Sequence, residues 1–194
     1  MKSRAKQLCI ALVLSGISLI SSRVVSLLHA QYPDIWVSEE SVGPLKAKTE
    51  YNVRHIATLF PGRRVVTATH MSEGLEYPTI EVRDGRTVLL QIVPYFDQGI
   101  GSVIVKSNKV RVRSGGRLGF RYSQIFGNKV SDELCRFGSE EYSNNLICSV
   151  GVNSHISFVF ERVKSDPNRD LPSIDQIKSA RVIEIWWFPV ITAH

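Results

Sequence analysis

The stretch that decides the fold is YPTIEVR at residues 77–83, followed by Asp84-Gly85 and then by TVLLQIVP at residues 87–94. Each flanking segment predicts a short strand. An Asp-Gly pair between two such segments is typical of a two-residue β-hairpin turn, because glycine readily adopts positive φ angles. The sequence therefore predicts two neighbouring antiparallel strands here.

Further short elements surround this hairpin. Before it, residues 49–59 predict a helix with Thr49 as N-cap, which Pro61-Gly62 ends. Strands are predicted at residues 64–69, 100–105, 109–113, 134–137, 146–150, 155–161 and 181–188, and short helices at 121–126 and 172–178. Antiparallel strands with a few short helices on one face give an α+β fold.

The second half of the chain follows the plan of the first. A short helix precedes a series of strands in each, although few side chains are identical. We predict one α+β domain over residues 31–194, built from two tandem helix-plus-strands repeats at residues 42–113 and 114–188.

The first thirty residues predict a signal peptide. Lys2, Arg4 and Lys6 precede an almost continuously apolar segment, and the leader closes on Ala30. Cleavage after Ala30 would place the remainder in the periplasm or outside the cell; a cut after Ser22 is an alternative. A retained membrane anchor is the main rival, although the apolar segment is shorter than the roughly 20 residues a spanning helix needs.

The charge of the chain argues against nucleic-acid binding. The formal net charge is +6, but four basic residues and no acidic residue lie within the leader, which leaves +2 on the remainder. Nucleic-acid-binding proteins usually have a much stronger positive bias. No nucleic acid is therefore expected as a partner.

Two cysteines follow the leader, Cys135 and Cys148. An even pair in an oxidising compartment predicts a disulfide. Redox pairs are usually closer together, and no matching set of His and Cys residues indicates zinc. We predict a structural disulfide across a hairpin.

Several short segments resemble one known family. They are residues 37–39, 42–45, 101–105, 118–119, 126–128, 155–158, 171–173 and 183–186, together with the spaced cysteine pair. Over about residues 37 to 187 the chain resembles the RpoE-regulated lipoprotein family of Gram-negative envelope proteins, a domain of unknown function. The resemblance implies an envelope location linked to envelope stress and supplies no catalytic residue. The chain departs from that pattern in its leader, because Cys9 lies at the start of the apolar segment and does not fit lipid attachment.

The sharpest local pattern is basic. In residues 109–113, Lys109, Arg111 and Arg113 alternate with two valines, so they share one face of a strand, and Arg117 is near in sequence. These four residues, the basic strip, are the candidate binding residues for an anionic envelope lipid or an acidic surface of an envelope protein. The alternative is a solvated or charge-protected edge strand.

Other polar residues indicate neither catalysis nor metal binding. His70 and Glu73 fit a turn, His155 fits a structural role at the start of a strand, and the adjacent Glu140 and Glu141 would point apart. No nucleophile elbow or phosphate-binding loop is present in the sequence, so no catalytic residue, metal or cofactor is expected. Trp186 and Trp187 are expected to face opposite sides of their strand, with the outward ring either covered or part of a binding patch.

These observations favour an exported, non-enzymatic binding or accessory protein of the envelope. One alternative is a periplasmic inhibitor of a hydrolase such as lysozyme, which would act through loops at residues 72–76 and 138–144. Another is a membrane-anchored envelope protein with an anionic lipid partner. The sequence does not define the ligand or the oligomeric state.

Overall fold

The hairpin around Asp84-Gly85 lies within a large sheet of the structure, a computed structural model that describes residues 34–72, 74–95, 99–163 and 171–189. Asp84 pairs with Thr87, so the two turn residues are Gly85 and Arg86, one position later than predicted. Gly85 has a φ angle of +59°, which explains the glycine at this turn. The predicted signal peptide, its cleavage site and Glu73 lie outside the described residues.

The described chain contains twelve strands and three short helices. The strands are β1 Trp36–Val37, β2 Ser41–Val42, β3 Leu45–Lys46, β4 Arg64–Ser72, β5 Leu75–Asp84, β6 Thr87–Tyr95, β7 Gly99–Val105, β8 Arg111–Val112, β9 Cys135–Phe137, β10 Asn145–Ser149, β11 Ile156–Arg162 and β12 Val182–Trp187. The helices are α1 Val53–Leu59, α2 Tyr122–Phe126 and α3 Ile174–Ile177, and a 3₁₀ turn spans Glu140–Tyr142. The predicted α+β class is confirmed.

Eight of these strands form an antiparallel sheet in the order β4-β5-β6-β7-β12-β11-β10-β9. In each half of the chain a short helix precedes a meander of four strands, and in the second half α3 also lies between β11 and β12. The last strands of the two meanders, β7 and β12, pair with each other at the centre, where Val105 lies opposite Ile185. The order of elements thus recurs, while a true sequence repeat stays a prediction.

A second, four-stranded sheet and the helices contribute to the core on one face of the large sheet. The small sheet has the order β3-β2-β1-β8, and its Val37, Val42 and Val112 belong to the same buried cluster as Ile56 of α1. Residues of β12 alternate between this core and the opposite face, which we call the outer face. Trp187 is 1% exposed in the core, whereas Trp186 is partly exposed on the outer face, so the two rings do face opposite sides.

Three details differ from the sequence prediction. Helix α1 begins after Asn52, whose side chain accepts hydrogen bonds from two backbone N–H groups, while Thr49 accepts one from Lys46 instead. The strand predicted over residues 109–113 is reduced to Arg111–Val112, which pairs in parallel with β1. The centre of the strand predicted over residues 181–188 is expected to be largely buried, yet its Ile183 is 42% exposed.

The predicted disulfide is present. Cys135 and Cys148 lie directly opposite each other on β9 and β10 and are bonded. Both are buried, so the bond joins the edge strand to the core. Among the described residues, no helix has both the length and the apolar character that a bilayer-spanning helix requires.

Candidate functional site

The outer face of the large sheet has a pocket of about 170 Å³ that is rich in aromatic side chains. We call it the aromatic pocket. It is lined by His70, Tyr77, Val93, Ser102, Ile104, Glu141, Tyr142, Trp186 and Phe188.

The register of the sheet places most of this lining. Trp186 of β12 lies opposite Ile104 of β7, and the neighbouring pair on β7 and β6 is Ser102 with Val93. On β4 and β5, His70 lies opposite Tyr77, and their rings meet edge-on with centroids 5.3 Å apart. Because alternate residues of a strand share a face, these side chains come from five strands onto one surface.

Tyr142 comes from outside the sheet, at the end of the 3₁₀ turn. Its ring meets that of Trp186 at 88° with centroids 4.9 Å apart. Phe188 also stands nearly perpendicular to Trp186, at 85° and 6.1 Å. Edge-to-face contacts of this kind are the favoured geometry of aromatic pairs. The three rings therefore form adjoining walls instead of a flat stack.

Glu184 holds this arrangement in place. One of its carboxylate oxygens accepts hydrogen bonds from Tyr142 Oη at 2.9 Å and from Trp186 Nε1 at 2.8 Å. Its other oxygen accepts from Lys106 Nζ. The carboxylate side chain is only 13% exposed, so these charge-assisted bonds lie in a partly desolvated setting. Two rings of the pocket are thus fixed through their polar tips.

The charges around Tyr142 are negative. Burial raises the pKa of the Tyr142 hydroxyl far above its usual range, and the negative charges of Glu184 and Glu141 raise that pKa further. Glu141 itself lines the pocket. Two carboxylates therefore lie near the Tyr142 hydroxyl, and Lys106 is paired with one of them.

Tyr142→Phe tests the bond to Glu184. Loss of a hydrogen bond to a charged, mostly buried group should reduce the free energy of unfolding by about 1.5–3 kcal/mol at pH 7. Since the folded-state pKa of Tyr142 is raised, its contribution is complete below the ordinary tyrosine pKa and is lost as the pH rises above about 10. Urea denaturation from pH 7 to 11 should therefore show a steeper alkaline loss in the wild type than in Tyr142→Phe. Equal slopes would contradict this role.

The basic strip, in contrast, is engaged within the protein. Lys109 Nζ lies 2.7 Å from Asp84 Oδ2. The guanidinium groups of Arg111 and Arg117 lie over aromatic rings, 5.7 Å from the centroid of Trp36 and 4.9 Å from that of Phe120. Arg113 lines a separate groove together with Glu39 and Glu40. The side chains of Lys109, Arg111 and Arg113 are exposed while Val110 and Val112 are buried, as the alternation predicted, but the role of the strip in binding stays a prediction.

The pair of Lys109 and Asp84 gives a test of this engagement. The hydrogen bond and charge of Lys109 lower the pKa of the Asp84 carboxyl below its ordinary value. We expect Lys109→Ala to raise that pKa back toward the ordinary value. Because the folded-state pKa is lowered, the stabilising effect is present at neutral pH and is lost as the pH falls through that pKa. Titration by NMR should show the shift; an unchanged Asp84 pKa would mean that the pair does not form in solution.

The structure places the other candidate residues and loops of the sequence analysis at different positions. His70 is in the aromatic pocket, and the partly exposed His155 donates its backbone N–H to Glu39 at 2.8 Å. Within the described ranges, no three His, Cys, Asp or Glu residues are grouped in a way that would hold a metal ion. Residues 138–144, proposed as an inhibitory loop, pack Tyr142 against Trp186.

Sequence reasoning did not find Glu184, Tyr142 or Tyr77 as site residues. The outward position of Trp186 was the one available signal. Tyr142 and Glu184 are 42 residues apart, and no local pattern shows that they meet.

Fold and pocket together define an α+β protein with an antiparallel sheet that is packed on one face and has an aromatic pocket on the other. The chain belongs to the family described as "Protein of unknown function (DUF1131)", which it matches over residues 28–188. It is 28% identical over 196 residues to the uncharacterized protein YfeY of Escherichia coli, covering 96% of this chain and 99% of that protein.

A solved structure has the same fold. The crystal structure of the uncharacterized protein yfeY from Escherichia coli superposes with a TM-score of 0.60 at 23% sequence identity. The similarity covers 80% of this chain and 99% of that one. It establishes the architecture and carries no information on activity.

Proposed function

We propose that this protein is an exported, non-enzymatic binding or accessory protein of the cell envelope, and that the aromatic pocket is its contact site. The observation that carries the proposal is the fixed position of the pocket walls. Glu184 bonds to both Tyr142 and Trp186, so contacts within the protein itself hold the two rings in place. A site whose rings are already ordered loses less conformational entropy when a ligand binds, which favours binding.

Export is supported by two independent features. The basic and then apolar leader is typical of a secretory signal. The bond between Cys135 and Cys148 is of the kind that persists in oxidising compartments such as the periplasm. The resemblance to the RpoE-regulated lipoprotein family supports a role in envelope homeostasis.

Fractionation of cells that produce the full chain tests export. We expect the protein in the periplasmic or envelope fraction, with Gln31 as its first residue and with both cysteines of the mature chain protected from alkylation. Recovery from the cytoplasm with Met1 retained and both thiols reactive would contradict export.

Binding is tested by a thermal-shift screen of envelope components, comprising sugars, peptides and lipid headgroups. The screen compares the wild type with Trp186→Ala and with Ile183→Ala. Ile183 is a matched control because it is an exposed apolar residue of the same strand that does not line the pocket. At least one component should raise the Tm of the wild type and of Ile183→Ala but not that of Trp186→Ala. Equal shifts in all three proteins, or none, would contradict the proposed site.

A further inference from the structure

We propose that the aromatic pocket binds an alkylammonium cation, such as the trimethylammonium or ammonium end of a headgroup. This inference rests on the proposed function and names the ligand class for the same pocket. Three properties of the described residues support it: the angles between the rings, the charges beside them, and the hydrogen bonds that Tyr142 and Trp186 already donate to Glu184.

The ring geometry suits a rounded cation. Tyr142 and Phe188 each stand nearly perpendicular to Trp186, and all three rings line the pocket. A cation is attracted to the face of an aromatic ring within about 6 Å of its centroid, and cages of several rings bind quaternary ammonium groups. A flat ligand would instead be favoured by parallel rings.

The charges complement a cation. Glu141 lines the pocket, and the carboxylate of Glu184 lies directly behind Tyr142 and Trp186. Lys106 is paired with Glu184, and Glu141 adds a further carboxylate to the lining of the pocket. An anionic ligand would be repelled at this position.

The polar tips of the rings argue against a sugar. A sugar site needs donors and acceptors directed at the hydroxyl groups, in addition to an aromatic platform. Here Tyr142 Oη and Trp186 Nε1 already donate to Glu184. An alkylammonium ion needs no hydrogen bond from either group, because its attraction to the rings is electrostatic.

The size of the pocket fits a single group. Its volume of about 170 Å³ is below the roughly 300–1,000 Å³ typical of clefts for drug-sized ligands. It can therefore take a charged headgroup but not the acyl chains of a lipid. The rest of the ligand would extend from the pocket into solvent or toward a bilayer.

Calorimetric titration with choline and with its neutral isostere 3,3-dimethylbutan-1-ol tests the proposal. The wild type should bind choline at least tenfold more tightly than the neutral alcohol, since only the cation interacts with the ring faces by charge. Equal affinities for the two compounds would overturn the inference.

Two variants locate the site. Trp186→Ala and Phe188→Ala should each weaken choline binding by about tenfold, whereas Ile183→Ala should leave it unchanged. Far-ultraviolet circular dichroism verifies that each variant is folded; should Trp186→Ala fail to fold, Phe188→Ala serves alone. Choline binding that all three variants retain would place the cation elsewhere and overturn the inference.

The outcomes also separate this inference from the proposed function. A sugar or peptide that binds through Trp186, with no response to choline, would overturn the cation and leave the pocket as a binding site. If no compound binds in a way that requires Trp186, both the cation as ligand and the pocket as a binding site are overturned. A last experiment measures binding of the protein to vesicles of phosphatidylcholine. If the protein binds the vesicles and choline displaces it, the ammonium group belongs to a lipid headgroup. If the protein binds choline but not the vesicles, the ammonium group belongs to a free small molecule.

Discussion

Trp187→Ala is expected to lower the free energy of unfolding by about 3–5 kcal/mol, the range observed when a buried large aromatic residue is truncated to alanine. Trp187 is 1% exposed and lies opposite Ile156 and Val103 on the two neighbouring strands. Its Nε1 also donates to the backbone oxygen of Glu39, between β1 and β2. The variant therefore loses a large apolar contact and a link between the two sheets.

Trp186→Ala is the matched control for this prediction. The adjacent ring lies on the outer face and is only partly buried. We expect its removal to reduce the free energy of unfolding by less than removal of Trp187, because less apolar surface leaves the core. Urea denaturation with constant m-values measures both. Equal losses for the two variants would contradict the assignment of opposite faces.

The double variant Cys135→Ala/Cys148→Ala is expected to be less stable than the wild type by about 3 kcal/mol. The disulfide closes a loop with a sequence separation of 13 residues, and cross-linking a loop of this size restricts the unfolded chain by about that amount. For a domain of this length the loss corresponds to a fall in Tm of roughly 6–12 °C.

Chemical reduction of the disulfide gives the control for this prediction. Dithiothreitol should lower the Tm of the wild type to near that of the double variant and should leave the Tm of the variant unchanged. Alanine is used because both positions are buried and serine would place a polar hydroxyl group there. A wild-type Tm that does not respond to complete reduction would show that the bond does not stabilise the fold.

Local features of the sequence predicted local structure well. Asp84-Gly85 predicted the hairpin to within one residue, and the short helix predicted over residues 172–178 is present at Ile174–Ile177. Errors arose where neighbouring residues competed for the same role. Asn52, and not Thr49, caps α1, because its side chain is next to the free N–H groups of Arg54 and His55.

Long-range pairing could not be predicted from the sequence. The central contact of the large sheet joins β7 to β12, and no pattern in either strand identifies the other as its partner. The pocket depends on that contact, since it brings Ser102 and Ile104 beside Trp186. Tyr142 is held at the site by tertiary contacts, namely its bond to Glu184 and its ring contact with Trp186.

The basic strip shows the opposite case. Its alternation was visible in the sequence, and the valines are buried as predicted. The sequence could not show which groups the charged side chains would contact. Lys109 is paired with Asp84, and Arg111 lies over Trp36. These two positive charges therefore already interact with other groups of the protein.

The indole N–H resonances of the ¹⁵N-labelled protein give the most direct test of the aromatic pocket as the contact site. The chain has three tryptophans, so the three signals report on the basic strip, the pocket and the core through Trp36, Trp186 and Trp187, respectively. On titration with choline, the Trp186 signal should shift and saturate while those of Trp36 and Trp187 stay in place. An unchanged Trp186 signal, with a saturable shift at Trp36 instead, would place the cation beside Trp36 and refute its binding in the aromatic pocket.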